Sequence, residues 1–168
     1  MVLDMLPLLC GEKSKIEFDF TFVPDKDNEI CLTFPDIDFY EPISVRGYVK
    51  SMADYMFLHE DVSLRYKTNC ARCAEPTEGE ISFSFEKDIA TGDVSRDNGD
   101  YLFIEDKKLD LDEPMTEQLM IELPSKTLCR EDCAGLCVKC GKNLNLGKCL
   151  CPEHEGDPRL AILKTLLK

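Results

Sequence analysis

Cysteines are the residues of this chain whose types and spacing point most directly to chemistry. Eight of the ten fall into two groups, a C-x-x-C pair and a run of six towards the end of the chain. The pair is Cys70 and Cys73, and the run comprises Cys129, Cys133, Cys137, Cys140, Cys149 and Cys151. A short C-x-x-C turn presents two sulfurs to one tetrahedral ion, and eight thiolates fill two such sites. The sequence therefore predicts two structural zinc ions, with all eight of these cysteines as ligands.

The order of the cysteines predicts how they divide between the two sites. The expected sets are Cys70, Cys73, Cys129 and Cys133, and then Cys137, Cys140, Cys149 and Cys151. The first set closes a long loop, but each doubling of loop length costs only about 0.6 kcal/mol, far less than the order of 10 kcal/mol from a bound zinc ion. An exchange of Cys133 with Cys137 remains open, as does His154 in place of one sulfur. Gly141 would permit a positive φ beside the second C-x-x-C.

A disulfide framework is the main alternative to metal. Met1 to Leu9 is apolar but short, lacks a basic lead-in and carries Asp4, so it is a poor signal peptide. No apolar run approaches the roughly 18 residues of a membrane span. A cytoplasmic chain would keep its thiols reduced and available to metal, which favours zinc. The two remaining cysteines, Cys10 and Cys31, are expected to be small buried hydrophobic residues.

Charge is distributed unevenly along the chain. The formal net charge is -13, but residues 1–128 carry 28 Asp and Glu against 13 Lys and Arg, whereas residues 129–168 carry five against seven. Each four-thiolate zinc site would add about -2. A body this acidic repels nucleic acid unless it presents a local basic patch, for which the candidates include Lys139, Lys142 and Lys148. Acidic surfaces suit basic partners such as ribosomal proteins.

Alternating apolar and polar residues predict an antiparallel sheet in the first half of the chain. Four segments show this pattern, and they are residues 16–22, 43–50, 62–67 and 81–86. Because the last two flank Cys70 to Cys73, this C-x-x-C is expected at the tip of a hairpin. Successive short strands separated by turns favour a meander that curls towards a barrel. Residues 91–100 are expected to form an exposed loop.

Two helices are predicted in the second half. Asp112 would cap one that runs near residues 113–123 and ends at Pro124, with Met115, Leu119, Met120 and Leu123 facing the core. Asp157 and Pro158 would begin a terminal helix with a leucine stripe, most simply a packing face. The sequence thus predicts an α+β fold as one globular unit, an acidic sheet body over 1–128 and a cysteine-rich zinc segment with the terminal helix over 129–168.

Evidence for catalysis is scarce. The chain has two histidines, no glycine-rich phosphate loop and no local signature of an activated serine or cysteine nucleophile. Closed four-sulfur sites have no open position for water, so they are structural centres rather than Lewis acids. We therefore expect a protein that is not an enzyme.

The cysteine-rich motifs resemble those of the bacterial YceD family, described as large ribosomal RNA subunit accumulation proteins. The resemblance rests on the run C-x-G-L-C-x-x-C-G-x-N-L-N over residues 133–145, the C-x-C at 149–151, the segment Asp157-Pro-Arg-Leu-Ala161 and the upstream Cys70-Ala-Arg-Cys73. It covers the region from Cys129 onwards and the hairpin tip, whereas the part of the chain before the hairpin matches only in general pattern. It implies a cytoplasmic bacterial protein needed for synthesis, processing or stability of large-subunit ribosomal RNA.

Three hypotheses follow about how such a protein would act. The first is a non-enzymatic assembly factor, a zinc-stapled scaffold whose acidic surface binds a basic ribosomal protein or a maturation factor. The second is direct binding of precursor ribosomal RNA by basic residues near the zinc sites. The third is a zinc or redox sensor. The charge balance favours the first.

Overall fold

The computed structural model of the chain describes residues 1–53, 55–91 and 99–151 and shows an α+β fold. A mostly antiparallel sheet of five strands has the order β2-β3-β4-β5-β6, and β1 pairs with β7 in a separate ribbon. The strands are β1 (Val2–Asp4), β2 (Lys15–Phe22), β3 (Ile43–Ser51), β4 (Met56–Asn69), β5 (Pro76–Ile89), β6 (Tyr101–Leu102) and β7 (Lys108–Asp110). The helices are α1 (Leu6–Leu9), α2 (Glu29–Thr33) and α3 (Asp112–Glu122).

Side-chain alternation explains the strands. Along β4, every second residue from Met56 to Tyr66 is buried, and the residues between them are half-buried or exposed. On β3 buried residues also recur at alternate positions, and on β2 and β5 half-buried residues alternate with exposed ones, so the sheet has one apolar face and one polar face. All four predicted strands are confirmed. β4 and β5 are longer than expected, at 14 residues each, and together they form the long hairpin that carries Cys70 and Cys73 at its tip.

The sheet curls into a half-barrel, as the meander of strands predicted. Gly47 lets the backbone of β4 and the ring of Phe18 lie close to β3 on the inner face of the sheet. A Cβ at this position would lie 2.0 Å from the carbonyl oxygen of His59 and 2.8 Å from the ring of Phe18. Glycine therefore lets the Phe18 ring pack over β3, where any larger residue would displace it. The core lies between this concave face and the helices, and includes Val45, Val49 and Leu58, all fully buried.

The long helix α3 confirms the predicted helix and corrects two of its details. Asp112 is the first residue of the helix, and the N-cap position is occupied by Leu111. The amide of Asp112 donates to the side chain of Asp110 at 2.8 Å. Met115 and Leu119 are 1% exposed, as expected, but Met120 is exposed. Because successive helical residues are about 100° apart, Met120 lies off the stripe that Met115 and Leu119 share.

Several short elements were not predicted from the sequence. They are α1, α2, β1, β6 and β7, each of two to five residues, too short to show a periodic pattern. Cys10 ends α1 and is exposed, which contradicts the expectation that it is buried, while Cys31 on α2 is half-buried and packs against the core. The predicted terminal helix from Asp157 lies outside the described residues, as does most of the predicted loop at residues 91–100. Across the described ranges, no helix is both long and apolar enough to span a membrane.

A glutamate lies in the centre of the core. Glu60 is fully buried on β4, and within the described part of the chain neither carboxylate oxygen has a hydrogen-bond partner. Burial, reinforced by the charge of Asp112, raises the pKa of Glu60 from 4.5 to about 8. The folded protein therefore holds this carboxyl protonated at neutral pH, since an uncompensated buried charge is costly.

This pKa predicts a pH-dependent stability that Glu60→Gln removes. The folded state binds a proton that the unfolded state has lost above pH 4.5. Raising the pH from there to about 8 should therefore lower the unfolding free energy by up to about 1.4 kcal/mol per pH unit. Denaturant titrations at several pH values test this. The slope should flatten in Glu60→Gln and persist in a control, Glu12→Gln, at an exposed position. An unchanged slope in Glu60→Gln would contradict the assignment.

Candidate metal centres

The tip of the β4–β5 hairpin presents the first pair of sulfurs. The amide of Cys70 donates to the carbonyl of Glu75 at 2.8 Å, and the amide of Ala74 donates to the carbonyl of Cys70 at 2.9 Å. Ala74 takes a φ of 58°, an uncommon value for a residue with a side chain. These bonds hold Cys70 and Cys73 in a tight turn with both thiols on one side.

The segment that follows α3 is held against this tip. The amide of Ala71 donates to the carbonyl of Thr127 at 2.9 Å, and the hydroxyls of Tyr66 and Thr127 lie 3.4 Å apart. The guanidinium of Arg72 donates to the carbonyls of Glu131 and Cys133, at 3.1 and 3.0 Å. These bonds bring a C-x-x-x-C turn from a distant part of the chain onto the hairpin.

The first cluster consists of four cysteines from these two segments. Cys70 lies with its sulfur 3.8 Å from that of Cys133, and the sulfurs of Cys73 and Cys129 are 3.6 Å apart. Cys129 is exposed, whereas the other three are buried. The partially buried Leu128 packs beside them.

The second cluster is built on a turn of the same design. The amide of Cys137 donates to the carbonyl of Lys142, and the amide of Gly141 donates to that of Cys137, both at 2.8 Å. Gly141 has a φ of 71°, confirming the expected positive value, and occupies the position that Ala74 holds in the first turn. The chain returns after a short 3₁₀ turn (Leu144–Leu146). It brings Cys149 within 3.4 Å of Cys137, sulfur to sulfur.

The dimensions of both clusters suit a tetrahedral metal ion. In each, the four sulfurs lie within 4.8 Å of one another, and all ten cysteines are free thiols. Four sulfurs at about 2.3 Å from a zinc ion would be about 3.8 Å apart, close to the separations of 3.4 to 3.8 Å between the contacting pairs. Each cluster could therefore hold one metal ion. The sets are those expected from chain order, with Cys133 in the first cluster and Cys137 in the second, whereas His154 lies outside the described residues.

Hydrogen bonds favour the thiolate at some cysteines of each cluster but not at all of them. Donation from the backbone of Cys129 lowers the pKa of Cys70 to about 6, and donation from the backbone of Cys140 lowers the pKa of Cys137 to about 6. By contrast, the hydrogen bond with the thiol of Cys140 raises the pKa of Cys151 to about 12. Four converging sulfurs cannot all be charged without a cation, so a bound ion is what would allow the last thiols to ionise.

Two residues beside the clusters were missed by the sequence reasoning. Arg72 stands in the sequence as a spacer between cysteines, yet its guanidinium and its carbonyl both contact the cysteine-rich segment. Asn145 donates from its side-chain amide to the sulfur of Cys133 at 3.3 Å, and this bond lowers the pKa of Cys133. The signal that could have found Asn145 is the Asn-Leu-Asn motif, which the sequence analysis uses only as a mark of resemblance.

The sequence profile of large ribosomal RNA subunit accumulation protein YceD matches residues 58–167. This chain belongs to the YceD family. The match begins in β4 and includes the hairpin tip and all eight clustered cysteines, so both clusters lie within the family's region. The family membership that the cysteine-rich motifs indicated is therefore confirmed.

Individual relatives agree with this assignment. An uncharacterized protein of Mycobacterium tuberculosis is 30% identical over 127 residues, which are 71% of this chain and 59% of the relative. A Mycobacterium leprae counterpart, also uncharacterized, is 26% identical over 125 residues, 72% of this chain and 56% of the relative. The chloroplast large ribosomal RNA subunit accumulation protein YCED homolog 1 of Arabidopsis thaliana is 32% identical over 92 residues, 49% of this chain and 29% of the relative. This YceD chain thus spans less than two thirds of the length of these relatives, and no solved structure matches it.

Different roles for the two clusters lead to a prediction. At saturating metal, Cys140→Ser should reduce hydrogen-exchange protection mainly in residues 134–151, because its cluster is local. Cys73→Ser should also reduce protection at the hairpin tip and in residues 125–133, because its partners lie 56 or more residues away. Amide exchange followed by mass spectrometry measures both. Identical losses along the whole chain in the two variants would contradict the proposed division.

Proposed function

We propose that this YceD protein is a non-enzymatic ribosome-biogenesis factor that supports synthesis, processing or stability of large-subunit (23S) ribosomal RNA in the cytoplasm. It acts as a scaffold, stapled by two zinc ions, whose acidic surface binds a basic ribosomal protein or a maturation factor. The names of the family and of the Arabidopsis relative support the process. An acidic cleft in the structure supports the mode of action.

This cleft lies between β5, the β6–β7 turn and the start of α3, and has a volume of about 600 Å³. Five carboxylates and two lysines line it, together with the aromatic rings of Tyr101 and Phe103. The carboxylates are Glu105, Asp106, Asp110, Glu113 and Glu117. One of the two lysines, Lys87, is already paired with Glu117. A cleft with this lining suits an extended basic segment, whose cations would meet both carboxylates and aromatic faces.

The turn at the edge of the cleft carries backbone strain. Asp106 and Lys107 have φ values of 48° and 66°. Gly, Asn and Asp adopt such values readily and are the usual residues in two-residue hairpin turns. Lysine is not among them, and a left-handed residue with such a side chain costs roughly 1–2 kcal/mol. Lys107 therefore supports a turn kept for its surface rather than for stability.

Zinc content is the first prediction from this proposal. Eight thiolates in two closed clusters should bind two zinc ions per chain, because four sulfurs at these separations match tetrahedral zinc. Elemental analysis of protein purified without chelators measures the stoichiometry. One ion per chain, or none, would contradict the two-site proposal; with a single ion, the compact second cluster would be the expected site.

The second prediction concerns the acidic cleft. The triple substitution Glu105→Lys, Asp106→Lys and Glu113→Lys should weaken binding to the ribosomal partner about tenfold or more. Exposed ion pairs contribute roughly 0.2–1 kcal/mol each, and reversal replaces attraction by repulsion at three positions. Partner capture from cells with and without ribonuclease, followed by affinity measurement over a salt series, provides the readout.

A matched control separates the cleft from net charge. The substitutions Glu12→Lys, Asp25→Lys and Asp27→Lys change the charge by the same amount at exposed positions that do not line the cleft. They should weaken binding much less. Equal loss in both variants would indicate general electrostatic attraction and would contradict a specific role for the cleft.

Direct RNA binding is a second candidate, favoured by the second cluster. No Asp or Glu occurs between Asp132 and Glu153, and this stretch contains Lys139, Lys142 and Lys148. Three aliphatic side chains there are strongly exposed, and they are Val138, Leu146 and Leu150. A basic, partly apolar tip on an acidic molecule can contact phosphates and bases together. If Lys→Glu changes at the three lysines abolished ribosomal association while the cleft variant bound normally, RNA binding would be the better account.

A further inference from the structure

Backbone hydrogen bonds, as well as the chain between them, join the two cysteine clusters. The amide of Leu136 donates to the carbonyl of Arg72 on the hairpin at 3.0 Å, and the amide of Leu144 donates to the carbonyl of Gly135 at 2.8 Å. Gly135 has a φ of 74°, and a Cβ there would lie 3.1 Å from the carbonyl oxygen of Arg72. The connection from Cys133 to the second cluster is therefore held tightly against the hairpin tip.

Asn145 forms the most direct link. It belongs to the loop between Cys140 and Cys149, yet its side chain contacts a cysteine of the other cluster and two groups next to it. Its amide nitrogen lies 3.3 Å from the sulfur of Cys133. Its carbonyl oxygen accepts from the amide of Ala134 at 2.8 Å and from the guanidinium of Arg130 at 2.7 Å. One side chain from the second cluster's loop thus contacts the sulfur, the following amide and a neighbouring side chain of the first.

A second asparagine in the same loop supports this arrangement. The side-chain oxygen of Asn143 accepts from the amide of Asn145 at 3.0 Å, which orients the 3₁₀ turn. Its side-chain nitrogen donates to the carboxylate of Glu75 at 3.2 Å, and Glu75 lies just beyond Cys73 in the hairpin tip. The first contact is local to the loop between Cys140 and Cys149, and the second joins that loop to the hairpin tip.

We propose that Asn145 couples the two metal sites, so that filling the second cluster raises the affinity of the first. A metal ion on the second cluster would join Cys140 to Cys149 and so hold the loop in the form in which the N–H of Asn145 lies on the sulfur of Cys133. Four thiolates on a divalent ion retain negative charge, so an N–H donor stabilises the filled site. Because coupling of binding free energies is reciprocal, an ion in the first cluster favours the second equally.

This coupling rests on the metal occupancy proposed above, and native mass spectrometry of the full chain with zinc tests it. With one equivalent of zinc per chain, coupled sites give mainly chains with no ion and chains with two. Independent sites of similar affinity leave the one-ion species the most abundant. A one-ion share as large in the wild-type protein as in a variant that lacks the side-chain N–H of Asn145 overturns the coupling, whereas failure to bind any zinc contradicts the proposed occupancy itself.

Asn145→Asp identifies the residue responsible. The aspartate keeps an oxygen that can accept from Ala134 and Arg130, but it has no N–H to donate to Cys133. If Asn145 acted only through its oxygen, the variant would bind zinc as the wild type does. Loss of an outer hydrogen bond to a metal ligand typically costs 10- to 100-fold in affinity. We expect the one-ion species to predominate in Asn145→Asp. Leu146→Ala, in the same turn but 81% exposed, is the matched control and should behave as the wild type.

Competition with a chromophoric chelator adds a readout that does not depend on Asn145 variants folding normally. In the double variant Cys140→Ser and Cys149→Ser, which disables the second cluster, zinc affinity of the first cluster should fall at least tenfold. Adding Asn145→Asp to this background should then change little, because the coupling is already lost. An affinity within twofold of the wild-type value in the double variant would overturn the proposal.

Discussion

The convergence of four cysteine sulfurs at the hairpin tip is the constraint on which the rest of this structure depends. Cys70 and Cys73 come from the end of the longest strand pair, and Cys129 and Cys133 come from the segment after α3. Four sulfurs this close repel one another when ionised, so the junction is stable only when a cation or retained protons neutralise them. The attachment of the cysteine-rich segment to the sheet is thus a matter of charge as much as of packing.

The C-x-x-C turns of the two clusters have the same backbone hydrogen bonds but different residues. In each C-x-x-C turn the first cysteine donates its amide to the carbonyl five residues ahead and accepts from the amide four residues ahead. The residue after the second cysteine is left-handed in both, but it is Ala74 in one turn and Gly141 in the other. The first turn is clamped between two long strands and by Arg72, which can impose an unfavourable φ on alanine. The second turn is a more local structure, where glycine adopts that φ without cost.

Acidic and basic groups lie on different parts of the surface, and these parts suit different kinds of partner. Carboxylates line the cleft beside β6, β7 and α3, whereas the loop of the second cluster carries lysines and exposed aliphatic side chains but no acidic residue. A basic protein segment and an RNA backbone would therefore be attracted to different parts of the molecule. The core contributes a third electrostatic element, since Glu60 is buried where its charged form is strongly disfavoured.

Much of this architecture was determined by local sequence pattern. Alternation specified the four main strands, the C-x-x-C between two of them specified a hairpin tip, and the apolar stripe of Met115 and Leu119 specified α3. Cysteine order also predicted which four sulfurs converge, because short turns and adjacent pairs leave few compact arrangements. These features depend on residues close in sequence or on strong spacing rules, so they are visible without coordinates.

Only the tertiary structure decided the features that depend on long-range contact. Alternation along β4 places Glu60 on the same face as Val62 and Leu64, but only the packing of the covering elements decided that its carboxylate has no hydrogen-bond partner among the described residues. The exposure of Cys10 depends on where the short helix α1 packs, and the cleft is assembled from three separate stretches of chain. The contact from Asn145 to Cys133 joins side chains twelve residues apart, so it depends on how the chain between them folds back rather than on any local pattern.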